Sequence, residues 1–336
     1  MGTSGAAIMT KPIDRFVSEN RRATRRIDST FVEVASLRRR QFDFGISQFQ
    51  ISTSLEIYTR DLNNGLYSGH PDEEHGSGFG VAGDKRGDWE LQSVVPVSKA
   101  FVRDGRNAIR DALSGDNTGA IGKTVVGDGD STALTTNTSL DNETGRGFAW
   151  AMVGPDSNTT ISRSHLLFSD FGEEVSEFGV ESSGDDLYNR IVTSSVNLLQ
   201  TEELRIDVTF EVDGSGRGNS EITNHGKDTV AESIRSTEDI VGIERFAFGT
   251  GDSEPSEDDE SLEEEVFEKN VGYHIEPEIV TVYSIVVEAE PDAQPVTITE
   301  MGVKDNTGRL IWRTTIDGYE KNEDSEFEVY TGFRAK

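Results

Sequence analysis

The sequence predicts a mainly β protein: two tandem homologous antiparallel β-sandwich or jelly-roll-like domains, preceded by a helical N-terminal arm and a small β region. Three observations carry this. Apolar and polar residues alternate in short runs closed by Gly, Asn and Asp, the two-residue period of half-buried strands. A block of sequence recurs 122 residues downstream, the mark of a duplicated unit. The charge also changes sign between residues 1–40 and the remainder, which sets the N-terminus apart.

The arm is assigned to residues 1–45. Within residues 1–40, nine basic side chains (Lys11, Arg15, Arg21, Arg22, Arg25, Arg26, Arg38, Arg39, Arg40) face four acidic ones (Asp14, Glu19, Asp28, Glu33), a net +5. The whole chain carries −30, so the other 296 residues hold −35. Ile13, Phe16, Val17, Ile27, Phe31, Val34 and Leu37 recur at roughly helical spacing, and Pro12 suits a first helical turn. Two readings fit: an amphipathic helix packed on its own domain, or a docking arm. In the second, Arg21, Arg22, Arg25, Arg26, Arg38, Arg39 and Arg40 pair with an acidic partner or with copies of the chain.

Residues 46–105 form a small β and linking region. Phe49, Ile51, Thr53, Leu55 and Ile57 alternate with polar residues, and residues 91–97 make a second short strand. Between them runs a loop rich in Gly and charge (residues 61–88). Ser98 caps an expected helix carrying Phe101, Val102, Ile109, Ala112 and Leu113.

The repeat domains are assigned to residues 106–225 and 231–336. Residues 127–143 (GDGDSTALTTNTSLDNE) lie on residues 249–265 (GTGDSEPSEDDESLEEE) with 7 of 17 positions identical and no gap. Ordinary residue usage gives roughly one match by chance. Matched positions include Gly127 and Gly129 with Gly249 and Gly251, and Leu140 with Leu262. At offset 123, Glu177-Phe178-Gly179-Val180 lies on Glu300-Met301-Gly302-Val303, followed in both copies by a Leu and an Arg (Leu187 and Arg190; Leu310 and Arg313). Strands are expected at residues 279–288, 296–303, 310–316 and 327–333 of the second copy. Asp305-Asn306-Thr307-Gly308 closes a hairpin there, and Ser183-Gly184-Asp185-Asp186 does the same in the first copy.

These motifs resemble a module of tail fibres and related virion proteins of tailed viruses. The second copy matches best, at Gly249, Gly251, Leu262, Glu265, Glu300, Met301, Gly302, Val303, Gly308, Leu310 and Arg313; in the first, Gly184 is displaced by one position from the turn glycine. The resemblance covers about 200 of the 336 residues. It implies a non-enzymatic structural component of a virus particle, in the tail, baseplate or tail fibre, or as a capsid-vertex turret or neck decoration. Its partners would be other virion proteins in a symmetric homo-oligomer. The alternative is an adhesin for host glycan or S-layer, with Tyr273, Trp312 and Tyr319 as aromatic candidates.

Composition narrows the setting. Sixty-two acidic residues against 32 basic, with Arg outnumbering Lys 23 to 9, keep a protein hydrated at very high salt, where screening removes most self-repulsion. With 17 Phe, 7 Tyr and 3 Trp the chain can build cores, so the acidity reads as a halophile's and the virus as one of a halophilic archaeon. The charge argues against nucleic acid as a partner. No run is apolar for long enough to span a bilayer or act as a leader, so no membrane partner is expected.

Without cysteine there is no disulfide, thiolate metal site or Cys nucleophile. No phosphate-binding, dinucleotide or G-x-S-x-G motif appears, and no cofactor is expected beyond non-specific cations at high salt. His70-Pro71-Asp72-Glu73-Glu74-His75 follows no metal-site spacing and reads as a solvated acidic loop. Asp128 and Asp130 fail a calcium-loop register, because the second copy has Thr250 in place of Asp128. Residues 252–268, ten acids in 17, read as a hydrated surface.

Overall fold

The computed structural model of this chain describes residues 24–27, 30–33, 38–61, 89–98, 101–116, 119–172, 174–236, 242–287, 290–292, 295–323 and 325–336. The first strands are β1 (Thr24–Ile27), β2 (Thr30–Glu33), β3 (Arg38–Asp61) and β4 (Glu90–Ser98), followed by helix α1 (Arg103–Leu113). Then come β5 (Ile121–Gly127), β6 (Glu143–Val153), β7 (Thr159–Leu167), β8 (Glu174–Ser182), β9 (Leu187–Asn197), β10 (Glu202–Ser215) and β11 (Ser220–Ile222). Helix α2 (Asn224–Arg235) precedes β12 (Ile243–Gly249), β13 (Glu265–Asn270), β14 (Gly272–Glu276) and β15 (Ile279–Val286). The chain ends on β16 (Val296–Asp305), β17 (Leu310–Lys321) and β18 (Ser325–Ala335).

The fold is mainly β and its pairings are almost all antiparallel. Eleven strands form one sheet in the order β14-β15-β18-β3-β10-β7-β6-β5-β8-β9, with β4 also on β3. Five form a second, β11-β17-β16-β12-β13, and β1 and β2 pair with each other. Pairing registers recur between the halves. Gly127 stands opposite Glu143 and Glu177, as Gly249 stands opposite Glu265 and Glu300. Gly179 faces Arg190 as Gly302 faces Arg313. β6 serves β5 with its first part and β7 with its last. In the second half the same span is cut at Val271, so β13 serves β12 and β14 serves β15.

The halves are joined rather than strung apart. β3 lies between them, antiparallel to β10 on one side and parallel to β18 on the other. Its alternation, Phe49, Ile51, Leu55 and Ile57 inward, feeds one hydrophobic core that also holds Phe210, Val212, Val282, Phe327 and Phe333. Phe49 and Phe333 meet across the seam at a ring separation of 6.1 Å. Helices α1 and α2 pack beside this core through Ile109 and Leu113, and through Val230 and Ile234. Thr223 caps α2, its hydroxyl accepting from Gly226 N at 3.1 Å. α1 begins after Val102 without a side-chain cap, four residues beyond the expected Ser98.

The helical arm is corrected where it is described: Thr24–Ile27, Thr30–Glu33 and the chain from Arg38 are extended, as β1, β2 and the start of β3. Ile27 and Phe31, two of the residues at helical spacing, also favour strands and lie in the β1–β2 pairing. Ile13, Phe16, Val17, Val34 and Leu37 lie outside the described residues. Residue 45, expected to end the arm, falls inside β3, and residue 105 falls inside α1. No helix among the described residues is long and apolar enough to cross a membrane.

Candidate functional site

The repeated signature residues converge on two equivalent clasps. In the second half, Glu300 enters the interior from β16 and is fully buried. Its Oε1 accepts from the backbone N–H groups of Gly251 (3.1 Å) and Glu264 (2.8 Å), and its Oε2 from the backbone N–H of Glu263 (3.1 Å) and from the guanidinium Nε of Arg313 (3.0 Å). Arg313, one strand away on β17, spends its remaining donors on the loop. It reaches Asp259 (2.8 Å) and both the carbonyl (3.3 Å) and the hydroxyl (2.9 Å) of Ser253. Burial opposes its charge, yet Asp259 and Glu300 more than offset this and raise its pKa.

The first half repeats the arrangement. Glu177 accepts from Asp141 N (2.8 Å), Asn142 N (3.3 Å) and the buried Arg190. Arg190 in turn holds Asn137 (3.2 Å), the carbonyl of Ser131 (3.2 Å) and the carboxylate of Asp141 (2.7 Å). The Ser131 hydroxyl and Arg190 lower the pKa of Asp141, and the Ser253 backbone and hydroxyl do the same for Glu263. Each clasp fastens a long loop, residues 128–142 or 250–264, to the sheet beneath it.

The glycines of the signature clear space for the carboxylate. A Cβ on Gly251 would stand 2.6 Å from Glu300 Oε1, and one on Gly129 would overlap Glu177 Oε2. A Cβ on Gly249 would likewise overlap Glu300 Oε1, and one on Gly127 would stand 3.0 Å from Glu177 Oε2. Leu140 and Leu262 plug the base, Leu140 against Val102, Val125 and Leu187, and Leu262 against Ala247 and Leu310. Gly179 and Gly302 admit the side chains of Leu187 and Leu310. The hairpin glycine Gly308 has φ +86°. In the first half that backbone conformation falls on Asp185 (φ 70°), which explains the displaced Gly184; Asp tolerates the left-handed region better than most residues.

Chemically the clasps hold rather than react. Each carboxylate is sealed from solvent and consumed by three or four donors, and each guanidinium is committed to loop acceptors. Asp305 shows the same economy at a turn. Its Oδ1 accepts from the N–H groups of Thr307 (2.8 Å) and Arg309 (2.9 Å), and its Oδ2 meets His225 at 2.6 Å. Burial works to raise its pKa, but the bonds from His225, Thr307 and Arg309 prevail and hold it down to about 2.

Of the arm arginines, Arg21 and Arg22 lie outside the described residues. Arg25 and Arg26 are in β1, and Arg38 and Arg39 are in β3 opposite Ser325 and Glu326. Arg40 stands over the rings of Phe42 (4.8 Å) and Tyr319 (5.3 Å). The histidines His70 and His75 also lie outside the described residues, among which no His, Asp and Glu group is arranged to hold a metal. Asp128 is the acceptor for the Asn142 amide, just past the end of β5. Trp312 is fully buried and Tyr319 packs on Phe327, so two of the three aromatic candidates serve the core.

Two features escaped the sequence reading. The acidic run is partly tied down: Asp259 by Arg313, Glu257 by Lys227 (2.6 Å), and Glu265 by Lys304 (2.6 Å). The outer face of β3, β10 and β7 carries a charged and aromatic layer. There Arg60 bonds Glu203 (2.8 Å) and covers Trp89 (4.2 Å), while Arg163 pairs in a fork with Asp207 (2.7 and 2.6 Å). The alternation of Glu203, Arg205 and Asp207 was its signal. The chain matches no protein-family model, no curated protein and no solved structure.

Proposed function

We propose that this chain is a non-enzymatic structural component of a virus particle, anchored by its basic N-terminal arm with the paired β halves projecting outward. The observation that carries the reading is the twin clasp. One chain builds the same loop fastening twice, once on β8 and β9 of the larger sheet, which also holds the seam strand β3, and once on β16 and β17 of the smaller. Repetition of a held surface suits assembly with neighbouring copies. The +5 arm beside a −35 body supplies a charge contrast through which an acidic partner or another copy would be engaged. The tail, baseplate or tail fibre is the preferred position, a capsid-vertex turret or neck decoration the next. The acidic, Arg-over-Lys composition fits a high-salt setting.

The arm is testable without touching the sheet. Arg38 onward pairs with β18, so the cut belongs before it. A chain lacking residues 1–37 is expected to fold at high salt, yet to be missing from purified particles of the producing virus. Particles that take it up at the full-length level would show that the arm is not the anchor.

A further inference from the structure

At the seam of the two halves lies a concavity of about 340 Å³ lined by Ile46, Gln48, Ser215, Gly216, Arg217 and Arg334. Its floor is a row across three strands. Gln48 of β3 stands opposite Ser215 of β10 on one side and Arg334 of β18 on the other. Arg217 reaches in from the turn after β10. Its guanidinium lies on the α-carbon of Gly45, where any Cβ would stand 2.5 Å from Nη1. Gly45 has φ +72°, in a bulge that shifts the β3–β18 register between Tyr330 and Gly332. Bulges re-aim neighbouring groups and concentrate beside functional sites.

The two arginines are notable for what does not meet them. Acidic residues outnumber basic ones 62 to 32, yet neither guanidinium has a carboxylate at ion-pair distance among the described residues. Arg334 Nε is buried without a hydrogen-bond partner. The nearby carboxylates are engaged elsewhere. Asp43 accepts from Gly45 N at 2.9 Å, and Asp213 lies 3.6 Å from Lys227. The first half has Glu211 at the position equivalent to Arg334, so the pair belongs to the seam and is not repeated.

We propose that this concavity binds a carboxylate-bearing ligand, gripped between Arg217 and Arg334 with the Gln48 amide and Ser215 hydroxyl as further donors. Two planar guanidinium forks match carboxylate geometry. The carboxylate arrives either on a small polyacid or on an acidic side chain of a second copy.

Titration calorimetry of the full chain with citrate, at fixed chloride concentration, separates these cases. Citrate is expected to bind, trimethyl citrate not to bind, and Arg217→Gln and Arg334→Gln each to weaken binding at least about tenfold. Circular dichroism verifies that each variant is folded. Arg217 is exposed on a turn, so its variant keeps the test usable if Arg334→Gln unfolds. Sedimentation velocity then names the source. A mass that falls on adding citrate assigns the carboxylate to a second copy, and an unchanged mass assigns it to a free ligand. No citrate heat, or equal heat from the folded Arg217→Gln variant, overturns the proposal.

Discussion

Arg313 Nε donates to Glu300 Oε2 at 3.0 Å with both side chains shut away from water, and Arg190 meets Glu177 in the same way in the other half. Removing one partner of such a pair strands the other's charge, which costs about 3–5 kcal/mol. Arg313→Met should therefore lower stability by that amount in a denaturant titration, and Arg190→Met by a similar amount. Replacing Glu300 by Leu strips acceptors from three backbone N–H groups as well and should cost more.

The signature glycines make a second prediction. Gly251→Ala drives a methyl group to 2.6 Å from both Glu300 Oε1 and Glu263 Cβ. Overpacking of this kind costs about 1–3 kcal/mol. Gly308→Ala meets open space and carries only the left-handed backbone cost, about 1–2 kcal/mol. Thermal midpoints of the two variants should rank in that order.

Asp305 gives the fold a pH dependence. Its carboxyl titrates near 2 when folded and at the ordinary aspartate value, roughly 3.9, when unfolded. A depressed carboxylate pKa contributes stability above the unfolded value and loses it as pH falls through the folded one. The contribution is roughly 2.6 kcal/mol, lost progressively between about pH 5 and 1. Stability measured against pH should show that loss in the natural chain and a flatter profile in Asp305→Asn.

The seam strand predicts cooperativity. β3 is shared between β10 and β18 and feeds one core, so calorimetry should record a single transition for both halves. Phe49→Ala, in that seam, should lower the whole transition by about 3–5 kcal/mol. Two resolved transitions, with only one moved, would mean that the halves fold separately.

Much of this was legible in the sequence. Alternation marks the strands over residues 49–57, 279–288 and 327–333, and the repeat singles out Glu177, Arg190, Glu300 and Arg313. Glycine at 127, 129, 249 and 251 stands out in the sequence only as a repeated position, because one-dimensional spacing cannot name the buried carboxylate it makes room for. At Ile27 and Phe31 a helical period hides a strand, because two apolar residues four apart satisfy either element and only the β1–β2 pairing decides; from Arg38 the strand is set by β18, almost 290 residues away in sequence. The seam stayed hidden for the same reason: nothing local announces that one strand will accept neighbours from both halves.

On the proposed reading, the chain is built into a particle with its arm inward and both halves outward. Electron cryomicroscopy of particles from the producing virus, with the chain fitted into the density, tests it most directly. Copies are expected in a symmetric ring, with residues 1–37 against neighbouring protein and the loops 128–142 and 250–264 facing solvent or adjacent copies. Particles of full composition that contain no copy of the chain would contradict it.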